Sequence, residues 1–268
     1  MQKINWYVGH MAKSLNLMEK QLDKVDLVIQ ILDARCPNIS SNPELVKLCN
    51  NKPIINIALK SDLADLSSKQ QDVNYLSIAQ KNFVNKVEKI IQEKLADKIK
   101  KYKAKGLVNP HFYIMVVGLP NIGKSSFINA FAKRNKTVVQ NRPGVTRNIN
   151  LIKVNKYFSI YDTPGIFVKN ITDEDMAFVL GLIGSIDKKV LSIEKVVRFA
   201  YAFYTLKYPK EFNSYFEIKE SLDYDQFISY IANKYKLIGK QNSFDYPKTY
   251  EFLFNVFLNN KICKIKYE

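Results

Sequence analysis

An α/β nucleotide-binding domain followed by a small all-α domain is the fold class that this sequence predicts. Three observations carry the prediction. Through residues 1–168, short apolar runs alternate with amphipathic stretches, the pattern of a mostly parallel sheet covered by helices. One run feeds Gly118-Leu119-Pro120-Asn121-Ile122-Gly123-Lys124-Ser125, which fits the phosphate-loop pattern G-x-x-x-x-G-K-[ST]. From residue 169 to residue 268 only helical periodicity remains. The expected organisation is about six strands in residues 1–168 and an all-helical domain in residues 169–268.

Leu15, Met18, Leu22 and Val25 recur at helical spacing, so a first helix is expected from Ala12 to Lys24. The apolar run Leu27–Leu32 reads as a buried parallel strand ending at the polar loop Asp33-Ala34-Arg35-Cys36-Pro37. Pro53–Leu59 is a second such strand, with Lys60-Ser61-Asp62 at its carboxyl end, and Tyr75–Ile78 is a third. Phe83, Val87, Ile91, Leu95 and Tyr102 mark one long amphipathic helix whose polar face is rich in lysine. A solvated face and an RNA-contacting ridge are both open readings of that lysine stripe. Phe112–Val117 is the strand that enters the phosphate loop, and a helix opens at Lys124. Ile149–Val154 and Tyr157–Tyr161 flank Asn155-Lys156 as a hairpin that ends in Asp162-Thr163-Pro164-Gly165. Beyond it, Thr172 and Ser192 are candidate helix caps. Three apolar stripes, led by Val196, Phe227 and Leu253, carry many Phe and Tyr, which read as core.

Composition narrows the setting. With 47% hydrophobic residues the chain is globular, and no apolar run approaches the ~18 residues of a membrane span. The opening residues carry no signal-peptide pattern. The three cysteines, Cys36, Cys49 and Cys263, lack C-x-x-C spacing and read as reduced thiols, so a cytoplasmic protein with no membrane partner is expected. The formal charge of +16 favours a polyanionic partner such as RNA, against the plainer account of a lysine-rich genome bias. Residues 1–168 hold 26 basic and 12 acidic side chains, a surplus of 14; the remainder holds 15 and 13, a surplus of 2.

The phosphate loop sets the chemistry. Its glycines let backbone N–H groups surround a phosphate, with Asn121, Ile122, Gly123, Lys124, Ser125 and Ser126 as the expected contacts. Lys124 is expected at the β- and γ-phosphates, and Ser125 on Mg²⁺. Asp162 can hold Mg²⁺ through a water, while the Gly165 N–H meets the γ-phosphate. Thr146, in Pro143-Gly144-Val145-Thr146, is the candidate to complete the Mg²⁺ shell.

Lys60 and Asp62 match two of the three fixed positions of the guanine reader N-K-x-D. A carboxylate at Asp62 accepts from the guanine N1 and N2 donors, and the Lys60 stem lies over the base. Ser77 and Ala79 are placed to supply the second base loop. Leu59 stands where asparagine is expected, at a cost of about 0.5–1.5 kcal/mol. GTP and GDP are the ligands this predicts. The base reader here precedes the phosphate loop, the reverse of ordinary GTPases, which marks a circularly permuted P-loop GTPase domain.

These residues resemble the YlqF/RbgA family of circularly permuted ribosome-biogenesis GTPases. Trp6-Tyr7-Val8-Gly9-His10-Met11-Ala12-Lys13 looks like the family's W-F-P-G-H-M-A-K, and Asp33-Ala34-Arg35-Cys36-Pro37 looks like its D-A-R-x-P. The Pro-Gly-Val-Thr and Asp-Thr-Pro-Gly stretches complete the likeness. It implies a GTP-hydrolysing assembly factor that binds ribosomal RNA through its helical domain and promotes maturation of the large ribosomal subunit. Slow turnover alone, stimulation by ribosomal particles and a monomeric state are the matching expectations. An alternative from another class is a nucleotide-gated RNA-binding module with little intrinsic hydrolysis. Leu59, Val8 and a segment Tyr250–Asn260 without Lys or Arg depart from the family pattern.

Many GTPases orient the attacking water with a glutamine after D-x-x-G. Ile166 and Phe167 occupy that stretch here. His10, in a loop beside Gly9, is the candidate catalytic group, as the likeness to the family's histidine implies. Packing or RNA contact is the competing reading. In related GTPases an asparagine at the position of Asn121 helps hold K⁺, which makes K⁺ a second candidate cofactor beside Mg²⁺.

Overall fold

The computed structural model describes residues 9–49, 52–132, 149–166, 171, 173–239 and 243–268, with residues 9–14 as backbone alone. The chain divides into two compact units. One comprises Met1–Thr172 together with Lys266–Glu268, and the other comprises Asp173–Ile265. The last three residues, expected in the helical domain, return instead to the first unit. Backbone pairing explains the return, since the Tyr267 N–H donates to the Arg35 carbonyl oxygen at 2.8 Å.

The first unit is a six-stranded sheet. β1 (Leu27–Asp33), β2 (Ile54–Leu59), β3 (Val73–Tyr75), β4 (Phe112–Gly118), β5 (Asn150–Lys153) and β6 (Phe158–Asp162) lie in the order β3-β2-β1-β4-β6-β5. All neighbours are parallel except β5 and β6. β1 is buried along its whole length, as a central parallel strand covered on both faces must be. Only parallel strands put several carboxyl ends on one edge, and here Asp33, Leu59 and Gly118 end three adjacent strands. The β5–β6 hairpin is closed by Asn155, whose Oδ1 accepts from the N–H groups of Tyr157 and Phe158.

Helices cover the sheet. α1 (Gly9–Leu22) and α3 (Pro43–Leu48) contribute Met18, Leu22 and Leu45 to a cluster with Val28, Met115 and Val117. α2 (Pro37–Ser40) is a single turn between β1 and α3. α6 (Lys124–Ala132) meets α4 (Phe83–Lys94) edge to face through Phe127 and Phe83, with ring centroids 5.8 Å apart.

Three boundaries differ from the periodicity. α1 begins at Gly9, so the backbone of His10 lies in a helical turn, not in a loop before it. The third strand sits two residues earlier than expected, because Val73 pairs with Asn56 and the chain bends once the Leu76 N–H has reached the Ala58 oxygen. The long amphipathic stretch is two helices, α4 and α5 (Ala96–Ala104). Leu95 departs from helical geometry at φ −97°, ψ 7°, with its side chain buried. The break costs little backbone bonding, since the Ile99 N–H still donates to Leu95.

The α-helices of the second unit are α7 (Glu174–Leu182), α8 (Ile193–Lys207), α9 (Pro209–Phe216), α10 (Tyr224–Lys234) and α11 (Tyr246–Leu258), with an isolated antiparallel bridge between Ile238 and Phe244 before α11. Asp173 caps α7, and Thr172 lies outside the described residues. Ser192 holds the cap position of α8 without a side-chain bond. Asp223 and Gln226 form a capping box on α10. Tyr204, Phe212, Phe216, Phe227 and Phe257 are fully buried, and their rings form the core. Tyr204 stacks on Phe257 at 5.3 Å, and Phe212 meets Phe227 at 5.2 Å.

Candidate nucleotide-binding site

The phosphate loop leaves β4 through two tight approaches. Gly118 has φ +152°, and a Cβ there would lie 2.7 Å from the Ile31 carbonyl oxygen of the neighbouring strand. Gly123, at φ +111°, opens α6, and Asn121 itself adopts a left-handed φ of +55°. A turn of this kind aims consecutive N–H groups inward and sets the start of α6, with its free N–H groups, beside them. Ser125 is half-buried at this opening, whereas Asn121 and Ser126 are exposed.

Lys124 is buried and folds back on its own loop. Its ammonium donates to the carbonyl oxygens of Leu119 at 2.7 Å and Gly118 at 3.2 Å. Burial lowers its pKa to about 8, against the charge of Asp162, which raises it. Asp162 ends β6, and Thr163 ties this edge to β4 by donating to the Val116 oxygen at 2.6 Å. Gly165 packs directly on the loop, since a Cβ there would fall 2.6 Å from Pro120 N and Cα and 3.0 Å from Lys124 Nζ. The Asp-Thr-Pro-Gly turn and the phosphate loop are therefore in contact. Ser125 and Asp162 offer a hydroxyl and a carboxylate, hard oxygen donors of the kind Mg²⁺ prefers, completed by waters and phosphates. Among the described residues no group of three or more His, Cys, Asp or Glu side chains is placed to hold a metal ion. Thr146 lies outside the described residues, and His10 is described as backbone alone.

The candidate base-reading residues lie beyond β1, at the ends of β2 and β3. Lys60 has φ +62°, a conformation that costs a non-glycine residue about 1–2 kcal/mol. The Ser61 N–H donates to the Leu76 oxygen at 3.2 Å, which joins the Lys60–Asp62 loop to the loop carrying Ser77 and Ala79. Asp62 and Ala79 are exposed, and Ser77 is buried with its Oγ accepting from the Ala79 N–H. Leu59 is buried beneath the phosphate loop, its Cδ1 3.3 Å from where a Cβ on Gly123 would lie. The motif order is inverted in sequence, but in space β2, β1 and β4 are adjacent and both motifs lie on one edge.

A ribosome biogenesis GTPase A, described as probable, from Mycoplasma genitalium is 34% identical over 267 residues, covering 99% of this chain and 97% of the relative. The chain belongs to the ribosome biogenesis GTPase A family. The family member from Bacillus licheniformis is 30% identical over 99% of this chain and 98% of its own. Residues 113–226 match the family described as 50S ribosome-binding GTPase. In fold the chain resembles the crystal structure of GNP-bound YlqF from T. maritima, with a TM-score of 0.64 at 22% identity over 96% of this chain and 97% of that one.

Three further side chains support this candidate site, and of these only Asp33 and Arg35 carry a sequence signal, in the stretch resembling D-A-R-x-P. Asn42 caps α3 by accepting from the Glu44 N–H, and its amide donates to the Ile166 oxygen at 3.0 Å, fixing the chain after Gly165. Asp33 and Arg35 are buried as an ion pair beside Lys60. The pair follows directly on the apolar run Leu27–Leu32, where charges carried into the core must be paired.

Proposed function

We propose that the chain is a GTPase that converts GTP to GDP and phosphate while assisting maturation of the large ribosomal subunit. The observation that carries the reading is the meeting of Lys60–Asp62 and Gly118–Ser125 on one sheet edge, in a chain of this family. Asn121, Ile122, Gly123, Lys124, Ser125, Ser126 and Gly165 surround the phosphates in this reading. Lys60, Asp62, Ser77 and Ala79 hold the guanine. Mg²⁺ sits among Ser125, Asp162 and Thr146, and K⁺ sits beside Asn121. The match to a 50S ribosome-binding description and the surplus of 14 basic residues in the first 168 support ribosomal RNA as partner. No helix among the described residues is long and apolar enough to cross a membrane.

Hydrolysis is slow in the free protein on this account. Ile166, directly after Gly165, is fully buried and has no group to orient water. His10 supplies that role once a ribosomal particle is bound. The same observation favours the second reading, a nucleotide-gated RNA-binding module with little hydrolysis. Turnover of GTP and ATP, each with and without purified large subunits, separates them. Stimulated GTP turnover establishes the enzyme. Turnover that stays flat on addition of particles leaves the binding module, and preference for ATP removes the base assignment.

A further inference from the structure

The structure assigns a positioning role to Asp33: its buried carboxylate holds Lys60 in place to cover the nucleotide base. This rests on the base-reading role proposed for Lys60. Asp33 ends β1 directly opposite Leu59, the last residue of β2, so Lys60 is the first residue beyond the paired strands. Its left-handed φ turns the chain off the strand direction, and the Lys60 Nζ meets Asp33 Oδ2 at 3.0 Å. Strained backbone of this kind persists only where surrounding bonds fix it. Asp33 supplies such a bond. Arg35 donates to its carboxylate from Nε at 2.9 Å, from Nη2 at 2.8 Å and from its backbone N–H at 3.0 Å. Burial alone would push Asp33 up, but those bonds and the charges of Arg35 and Lys60 hold it below the ordinary carboxylate range.

The arrangement is built as a support rather than as a simple ion pair. Arg35 already satisfies the charge of Asp33, so Lys60 is not needed to keep the carboxylate buried. Lys60 is itself about a third exposed, with its stem free to present an apolar face to solvent or to a ligand. The loop carrying Arg35 is fixed in turn from outside the sheet. Tyr267 donates its N–H to the Arg35 oxygen, Glu268 accepts from the Ile39 N–H at 2.8 Å, and Lys266 donates to Ser68 Oγ at 2.8 Å. The base corner thus has a rigid donor-and-acceptor chain behind its lysine.

A double-mutant cycle tests this, with Asp33→Asn, Lys60→Ala and the pair, read by binding of fluorescent GDP and of tripolyphosphate, which has no base. Expected is a roughly tenfold loss of GDP affinity in each single variant, no further loss in the pair, and unchanged tripolyphosphate affinity. Additive losses, or equal losses for both ligands, would overturn the positioning role and leave Asp33 a structural residue. GDP affinity unchanged by Lys60→Ala would instead remove the base-reading role itself. Should Asp33→Asn fail to fold, a structure of the GDP-bound protein decides: a Lys60 Nζ to Asp33 carboxylate distance near 3 Å upholds the role, and a separated pair ends it.

Discussion

Lys124 donates its ammonium to the Leu119 carbonyl oxygen at 2.7 Å, five residues back in the same loop. The cation proposed to meet the phosphates is held by its own loop. Because burial lowers its pKa to about 8, part of the population is neutral in mildly alkaline solution. An arriving phosphate favours the charged form and raises that pKa, so binding takes up a proton near pH 8. GDP affinity should be greatest below pH 8 and fall as pH rises through that value. Calorimetry of GDP binding at pH 7 and pH 9, in buffers of different ionisation enthalpy, reads the uptake directly.

The same burial has a consequence for stability with the sign worked out. Lys124 is depressed from 10.5 in the unfolded chain to about 8 in the folded protein. Between those values the unfolded state binds the extra proton, so its contribution to stability rises with pH across that window. Lys124→Met removes the buried charge, and its melting temperature at pH 7 should equal or exceed that of the parent. GDP binding by this variant should drop by more than a hundredfold.

Gly165→Ala tests the contact between the Asp-Thr-Pro-Gly turn and the phosphate loop. A methyl group 2.6 Å from the Pro120 backbone must move one of them, at a cost of about 1–3 kcal/mol. Expected are a lower melting temperature and a GTP affinity weakened at least tenfold. An unchanged affinity in titration would mean that the two segments separate when nucleotide binds.

Leu59→Asn restores the missing member of the base reader. Asparagine is close to leucine in shape, and its amide would stand where Leu59 Cδ1 now lies, 3.3 Å from the position of a Cβ on Gly123. Burying an amide in this apolar position lowers stability, while a new bond to the phosphate loop is worth about 1 kcal/mol. GDP should bind several-fold more tightly in a less stable protein, as fluorescence titration and thermal melting would record.

Asn42→Ala removes three hydrogen bonds at once, two in the α3 cap and one to the Ile166 oxygen. The cap alone is worth about 1 kcal/mol. Particle-stimulated GTP turnover should fall more than that loss accounts for, because the chain beyond Gly165 is released. Equal fractional losses of basal and stimulated turnover would confine Asn42 to capping.

The strands, the phosphate loop and the aromatic core of the second unit are legible in the sequence because each is written locally. Leu27–Leu32 is an unbroken apolar run, and Gly118–Ser125 carries its glycines at the two places where a Cβ would collide or a positive φ is required. The break at Leu95 is less legible, since a helix that bends keeps its apolar periodicity. The roles of Asp33 and Asn42 depend on partners 27 and 124 positions away, Lys60 and Ile166, and periodicity has no reach over such distances. The return of Lys266–Glu268 is hidden for the same reason. Nothing in three residues announces that they belong with a loop at Arg35.

That return sets a clock on the base corner. The bond from the Ile39 N–H to Glu268 spans 229 positions. Closing so long a loop costs about 3 kcal/mol more than closing one of ten residues. The pairings of β1 with β2 and β4 close much shorter loops, so loop entropy disfavours forming this bond before them. Interactions absent from the folding barrier act on unfolding instead. The tail therefore contributes little to how fast the corner assembles and mainly to how long it stays closed, a latch fastened after the lock is built.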